Sequence, residues 1–219
     1  TYALTDDNEL HIDFKATTTM ATPINLVHHT YWNLTGDVSQ TILDHRLTLD
    51  AAYYCPTDSG GIPSGTPHPA VTGNTAPIPP GLAPVTGTPF DFRTPHAIGE
   101  RIDADHEQLA FGKGYDHSWA VNGEPGTLRR AAELYDPATG RVMEIWTDQP
   151  AIQFYSGNYL DGVPGKNGKP MNHRTGLCLE TQVFPDSPNQ PELSSGILRP
   201  GETYRHTMVH RFGTRRAMP

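Results

Sequence analysis

A period-two alternation of apolar and polar residues recurs along this chain, and it restricts the fold more than any other feature. It runs through Leu10-His11-Ile12-Asp13-Phe14-Lys15-Ala16, Arg46-Leu47-Thr48-Leu49-Asp50 and Val142-Met143-Glu144-Ile145-Trp146-Thr147. It returns in Ala151-Ile152-Gln153-Phe154-Tyr155 and Tyr204-Arg205-His206-Thr207-Met208-Val209-His210. Side chains alternate across an extended strand, so each segment predicts a strand with one face in a core and the other toward solvent or a cleft. Turn signals lie between them at Thr35-Gly36-Asp37, Asp136-Pro137-Ala138-Thr139-Gly140 and Asp161-Gly162-Val163-Pro164-Gly165. Glycine and proline, 21 of each in 219 residues, exceed average usage and disfavour a helical bundle. One short helix is predicted, around Ala97 to Gln108. The expectation is a single all-β domain built as a sandwich or barrel.

The formal charge of -8 argues against nucleic acid or an anionic membrane as partner. No apolar run approaches the ~20 residues of a membrane helix. Cys55 and Cys178 are too few for a disulfide framework or a structural zinc site, and two unpaired buried thiols are expected. The chain opens Thr-Tyr-Ala-Leu-Thr-Asp-Asp, without initiator Met, basic region or apolar stretch. This reads as the middle of a longer protein. The expected compartment is the cytoplasm, with periplasm or secretion left open. Residues 56–90 are dense in Pro, Gly and Thr, with an imperfect repeat: Ile62-Pro63-Ser64-Gly65 leads to Val71-Thr72-Gly73, and Ile78-Pro79-Pro80-Gly81 to Val85-Thr86-Gly87. An inserted surface loop around 64–80 within one domain is the expectation, since loop insertions cost little closure entropy.

Three segments concentrate polar residues with chemical potential. The first is Asn25-Leu26-Val27-His28-His29-Thr30-Tyr31-Trp32-Asn33-Leu34. Read as a strand, it sends His28 and His29 to opposite faces, so the two do not share a role. In Gly112-Lys113-Gly114-Tyr115-Asp116-His117, glycines suit a sharp turn presenting a carboxylate, and equally a plain Asp-capped turn. In Leu177-Cys178-Leu179-Glu180-Thr181-Gln182, Glu180 marks a strand edge or, in a cleft, a carboxylate raised toward neutrality by desolvation. No metal site is expected, because no His-Glu-x-x-His and no Cys/His ligand spacing occurs.

In that order the three segments resemble the signatures of the aldose 1-epimerases, the galactose mutarotases. Gly87-Thr88-Pro89-Phe90-Asp91-Phe92-Arg93, Gln149-Pro150-Ala151-Ile152-Gln153-Phe154-Tyr155, Phe184-Pro185-Asp186-Ser187-Pro188-Asn189-Gln190-Pro191 and Leu198-Arg199-Pro200-Gly201-Glu202-Thr203-Tyr204 are similar to further family segments. The resemblance implies a large antiparallel β-sandwich of the mutarotase-like type, with a sugar cleft on one sheet and no cofactor. It implies an isomerase that interconverts α and β anomers of free aldohexoses such as glucose and galactose. By motif position Glu180 matches the general base and His29 the general acid, while Asp116 and Gln153 match residues that hold sugar hydroxyls. Ring opening must take the C1 hydroxyl proton and deliver one to the ring oxygen, which a carboxylate and an imidazolium do together.

The family's N-terminal portion, with its strands, an arginine and a further histidine lining the cleft, has no counterpart here. Arg93 and His96 sit in a different motif and do not replace them. A sandwich without its early strands is expected to expose an edge and to pair with that segment or with a second copy. Two other functions fit the same fold. One is a sugar-binding module or sensor without turnover, against which both His29 and Glu180 speak. The other is a hexose-6-phosphate epimerase, which wants an arginine cluster, whereas Arg129-Arg130 and Arg215-Arg216 read as solvated charge.

Overall fold

Every alternating segment forms a strand. The computed structural model describes residues 1–64, 80–190 and 193–215. In chain order its strands are β1 (Tyr2–Leu4), β2 (Glu9–Ala16), β3 (Thr22–Pro23), β4 (Arg46–Leu49), β5 (Ala51–Cys55), β6 (Ala83–Pro84), β7 (His96–Ala97) and β8 (Asp116–Val121). There follow β9 (Arg129–Tyr135), β10 (Arg141–Thr147), β11 (Ala151–Tyr155), β12 (Val163–Pro164), β13 (Pro170–Met171), β14 (Cys178–Gln182), β15 (Ile197–Leu198) and β16 (Tyr204–Thr214). A seven-stranded sheet runs β1-β2-β16-β10-β9-β4-β7 and a five-stranded sheet β14-β11-β8-β5-β6, with two short pairs, β12-β13 and β15-β3, outside them. The long pairings are antiparallel, and β9–β10 is a direct hairpin.

One hydrophobic core joins the two sheets. Ile12, Leu47, Leu49, Leu134, Ile145 and Met208 of the seven-stranded sheet pack in one cluster with Tyr54, Trp119, Ile152, Phe154 and Leu179 of the five-stranded sheet. Burying each large side chain there gains roughly 1.5–3 kcal/mol. Loop aromatics complete the cluster. Phe90 stacks on Tyr54 with ring centroids 4.4 Å apart, and its carbonyl accepts from Trp119 Nε1 at 3.0 Å, so the buried indole N–H keeps a partner.

Several elements differ from the sequence expectation or lie outside it. β5, β8 and β14 hide apolar or polar side chains on both faces, so they show no alternation. The predicted helix resolves into a 3-10 turn at Ile98–Glu100 and a helix at Glu107–Gly112. The helix starts where the His106 side chain accepts from Gln108 N, and it stops at Lys113 in the left-handed region. The segment 24–31 is not strand; it is held at its ends by Ile24 N donating to the Gly196 carbonyl and by a bridge between Trp32 and Leu177 just beyond it. The expected inserted loop around 64–80 lies almost wholly outside the described residues. Cys55 and Cys178 are both free and buried.

Buried histidines make stability pH-dependent. His117 and His210 are buried against the core, and burial lowers each to about 3 from an ordinary 6.5. Unfolded, they take a proton below about pH 6.5; native, they do not until about pH 3, so the unfolded chain binds more protons between the two values. Stability is therefore full above pH 6.5 and falls as acid carries the chain through that window. Each such histidine contributes a slope of about 1.4 kcal/mol per pH unit. Urea titrations at pH 7, 6 and 5 should show it, and His210→Leu should flatten the slope. Equal midpoints at all three pH values would remove this assignment.

Candidate active site

The five-stranded sheet sets the site by register. Gln153 of β11 lies opposite Glu180 of β14 on one side and Ser118 of β8 on the other. One step along, Tyr155 lies opposite Cys178 and Asp116. Because the face repeats every second residue, Cys178 and Glu180, Gln153 and Tyr155, and Asp116 and Ser118 all stand on the face away from the core. Their neighbours Leu179, Phe154, Ile152 and Trp119 fill the core instead.

Local structure fixes each side chain. Asp116 follows a sharp turn in which Gly114 has φ +132, where an added Cβ would come 2.5 Å from Asn158 Oδ1. Only glycine fits there without moving Asn158. The Asn158 amide in turn donates to the carbonyls of Gly112 and Tyr115. His117 turns into the core, and its Nδ1 accepts from Asp116 N at 3.1 Å, so of this pair only the carboxylate serves the face.

His29 arrives from an extended segment laid along the outer edge of β14. Asn25 clamps the segment there, donating to Gln182 Oε1 and accepting from Val183 N. Trp32 and Leu177 exchange backbone hydrogen bonds. This cover explains why β14 is fully buried although it ends its sheet. The tandem histidines diverge as expected, although not by strand pleating. His28 pairs with Thr30 Oγ1 at 2.8 Å and lies against the rings of Tyr2 and His210. His29 instead places Nε2 3.4 Å from Glu180 Oε1 and Nδ1 3.4 Å from Cys178 Sγ.

All four residues expected at the site come together: His29 meets Glu180, and the Gln153 amide donates to Asp116 Oδ1 at 2.9 Å. Burial raises the Glu180 carboxyl above its ordinary 4.5; the nearby Asp116 charge adds to this, and His29 opposes it. Burial also raises Asp116, against the Gln153 hydrogen bond and His29. Two desolvated acids thus flank one half-exposed imidazole. Gln153 Oε1 and Ser118 Oγ are buried with no protein partner among the described residues, beside a cavity of about 30 Å³ also lined by Cys55, Thr57 and Asp116. Buried polar atoms without partners are rare and suit a hydroxyl-bearing ligand.

Sequence reasoning missed Cys178, Tyr31 and Tyr155 as members of the site. Two-residue spacing from Glu180 and from Gln153 was the available signal for Cys178 and Tyr155. Tyr31 lies beside His29, ring centroids 5.3 Å apart, and burial pushes its hydroxyl up to about 12. Arg129 and Arg130 are not solvated charge, as the sequence suggested. Arg129 donates to the carbonyls of Asn122 and Gln149, and Arg130 grips Asp50. Arg93 and His96 pair with Asp91 and Glu100, away from the site.

Comparison with known proteins finds relatives over nearly the whole chain. The aldose 1-epimerase family model matches residues 1–211. The chain is 40% identical over 213 residues to the human galactose mutarotase, covering 97% of this chain and 56% of that protein. It is 37% identical to the aldose 1-epimerase of Escherichia coli, covering 96% and 57%. An aldose epimerase homologue from C. elegans superposes with TM-score 0.80 at 26% identity, over 97% of this chain and 58% of that one. A galactose 1-epimerase from Lactobacillus acidophilus gives 0.76 at 29% identity, over 97% and 55%. The chain therefore spans a little over half the length of the relatives it matches.

Proposed function

The chain belongs to the aldose 1-epimerase family, and on that premise we propose that it interconverts the α and β anomers of free aldohexoses. The observation carrying this reading is the Glu180–His29 pair at 3.4 Å, beside the hydrogen-bonded Asp116–Gln153 pair. In the proposed reaction Glu180 takes the proton of the C1 hydroxyl while His29 Nε2 gives one to the ring oxygen. The ring bond opens to the aldehyde, which turns about C1–C2 and closes on its other face with the roles reversed. C1 hydroxyl and ring oxygen share one carbon, so a base and an acid a few ångströms apart can serve both together. A base raised toward neutrality binds the C1 proton more strongly. Asp116 and Gln153 accept and donate in fixed directions, which suits holding hydroxyls.

Polarimetry tests the proposal. Freshly dissolved α-glucose and α-galactose should lose rotation faster with the protein, and the rate should saturate with sugar. Binding without acceleration would replace the proposal with a sugar-binding role. The acid limb of the rate profile should lie above 4.5, the ordinary value that burial raises at Glu180, because protonation there removes the base. An acid limb at or below 4.5 would count against Glu180.

The proposal extends to partners and place. Leu4 on edge strand β1 is 78% exposed, and Met20 is 76% exposed. Apolar side chains beside an unpaired edge favour cover by a further segment or a second copy. Sedimentation of the 219-residue chain should then give more than a monomer, and a stable monomer would argue against this cover. No helix among the described residues is long and apolar enough to cross a membrane, and the cytoplasm is the proposed compartment.

A further inference from the structure

From the convergence of ligand atoms we infer that Cys178, His29 and Glu180 form a binding site for a thiophilic divalent cation such as Zn²⁺, and that its occupation blocks the acid/base pair. The blocking rests on the proposed function; the site does not. One ligand atom from each residue lies within 4.8 Å of the others. The 3.4 Å between Cys178 Sγ and His29 Nδ1 is close to the ~3.5 Å expected for sulfur and nitrogen on one tetrahedral zinc, given Zn–S ≈ 2.3 Å and Zn–N ≈ 2.0–2.1 Å.

The donor set fits such an ion and no harder one. Zinc accepts sulfur, nitrogen and carboxylate oxygen together, and three protein ligands leave a fourth position for water or substrate. Magnesium and calcium favour oxygen alone. Two of the ligands are held rigidly: Cys178 and Glu180 are buried, two residues apart on one face of β14. The third can adjust, since the His29 side chain is half exposed on a segment without ladder pairing. The imidazole now shows Nδ1 to the thiol and Nε2 to the carboxylate. Binding one ion at Nδ1 therefore needs a small shift of the ring relative to Glu180. The thiol proton leaves to solvent, the sulfur binds as thiolate, and nothing is oxidised or reduced.

The alternative reading is that Cys178 is simply a packed thiol. Cys55 shows what that looks like: its sulfur lies near the carbonyl oxygens of Pro56 and Gly81, with no imidazole among its hydrogen-bond partners in the described residues. Ring opening gives a thiol no task, yet Cys178 points at the imidazole proposed as the acid. A metal bound there would withdraw base and acid from the sugar at once.

The test is a titration of the protein with Zn²⁺ against a chromophoric chelator, together with a Co²⁺ titration read at the thiolate-to-metal charge-transfer band. One Zn²⁺ per chain and a Co²⁺ band are expected. Cys178→Ser should remove the band and weaken Zn²⁺ by about tenfold or more, the loss already seen when only a partner of a metal ligand is changed. Cys55→Ser should keep both. The wild-type Co²⁺ spectrum needs no variant, so a misfolded Cys178→Ser leaves a readable result. Absence of stoichiometric Zn²⁺, absence of the band, or a band lost in Cys55→Ser and kept in Cys178→Ser would overturn the site. Zn²⁺ bound at Cys178 with undiminished mutarotation would overturn the blocking. Neither binding measurement requires turnover, so a protein that binds Zn²⁺ here but lacks mutarotation refutes the proposed activity alone.

Discussion

Glu180→Gln should lower the proposed turnover by about 10²–10⁴-fold, the usual worth of general acid–base catalysis. Glutamine keeps the shape and the hydrogen-bonding reach of the carboxylate but cannot hold a proton taken from the C1 hydroxyl. The loss should fall on kcat rather than KM, because sugar binding is proposed to rest on Asp116 and Gln153, which the change leaves in place. A structural cause would not give this pattern: the amide is isosteric, and it relieves the cost of desolvating a charge, which burial imposes on Glu180. The measurement is the decay of optical rotation of α-glucose with the protein present, with a urea midpoint recorded beside it. Turnover within about threefold of wild type, at equal stability, would take the base away from Glu180.

The legibility of this fold in its sequence follows solvent exposure. Strands with one wet face, such as β2 with Leu10, Ile12 and Phe14 turned from His11, Asp13 and Lys15, show their period directly. β8 does not, because Ser118 and His117 are as buried as Trp119, and burial on both faces erases the alternation. The site divides the same way. Asp116, Gln153, Glu180 and His29 carry the family resemblance, and the structure places them together. The reason His28 and His29 part company was not legible. Pleating would have separated them on a strand, but the segment is not one; the Asn25 clamp and the Trp32–Leu177 bridge orient it instead. Cys178 stayed hidden because a cysteine in an apolar run reads as core. Its meaning depends on His29, 149 positions away in sequence, and contacts of that separation leave no local pattern.

His29→Asn should match the loss at Glu180, about 10²–10⁴-fold, whereas His28→Asn should stay within about threefold of wild type. The contrast is informative because the two residues are adjacent and chemically identical, yet their side chains have different surroundings. The half-exposed His29 ring stands between Glu180 and Cys178. The His28 ring is engaged with Thr30, Tyr2 and His210, and burial lowers it, which favours its neutral form. A neutral imidazole packed against aromatic rings supports the segment but has no proton to give at the cleft. His28→Asn should therefore act on stability, by the few tenths to about 1 kcal/mol of a lost side-chain hydrogen bond and ring contact. Should His28→Asn prove the more damaging change, the acid is the other histidine and the proton must reach the ring oxygen from the opposite side of the segment.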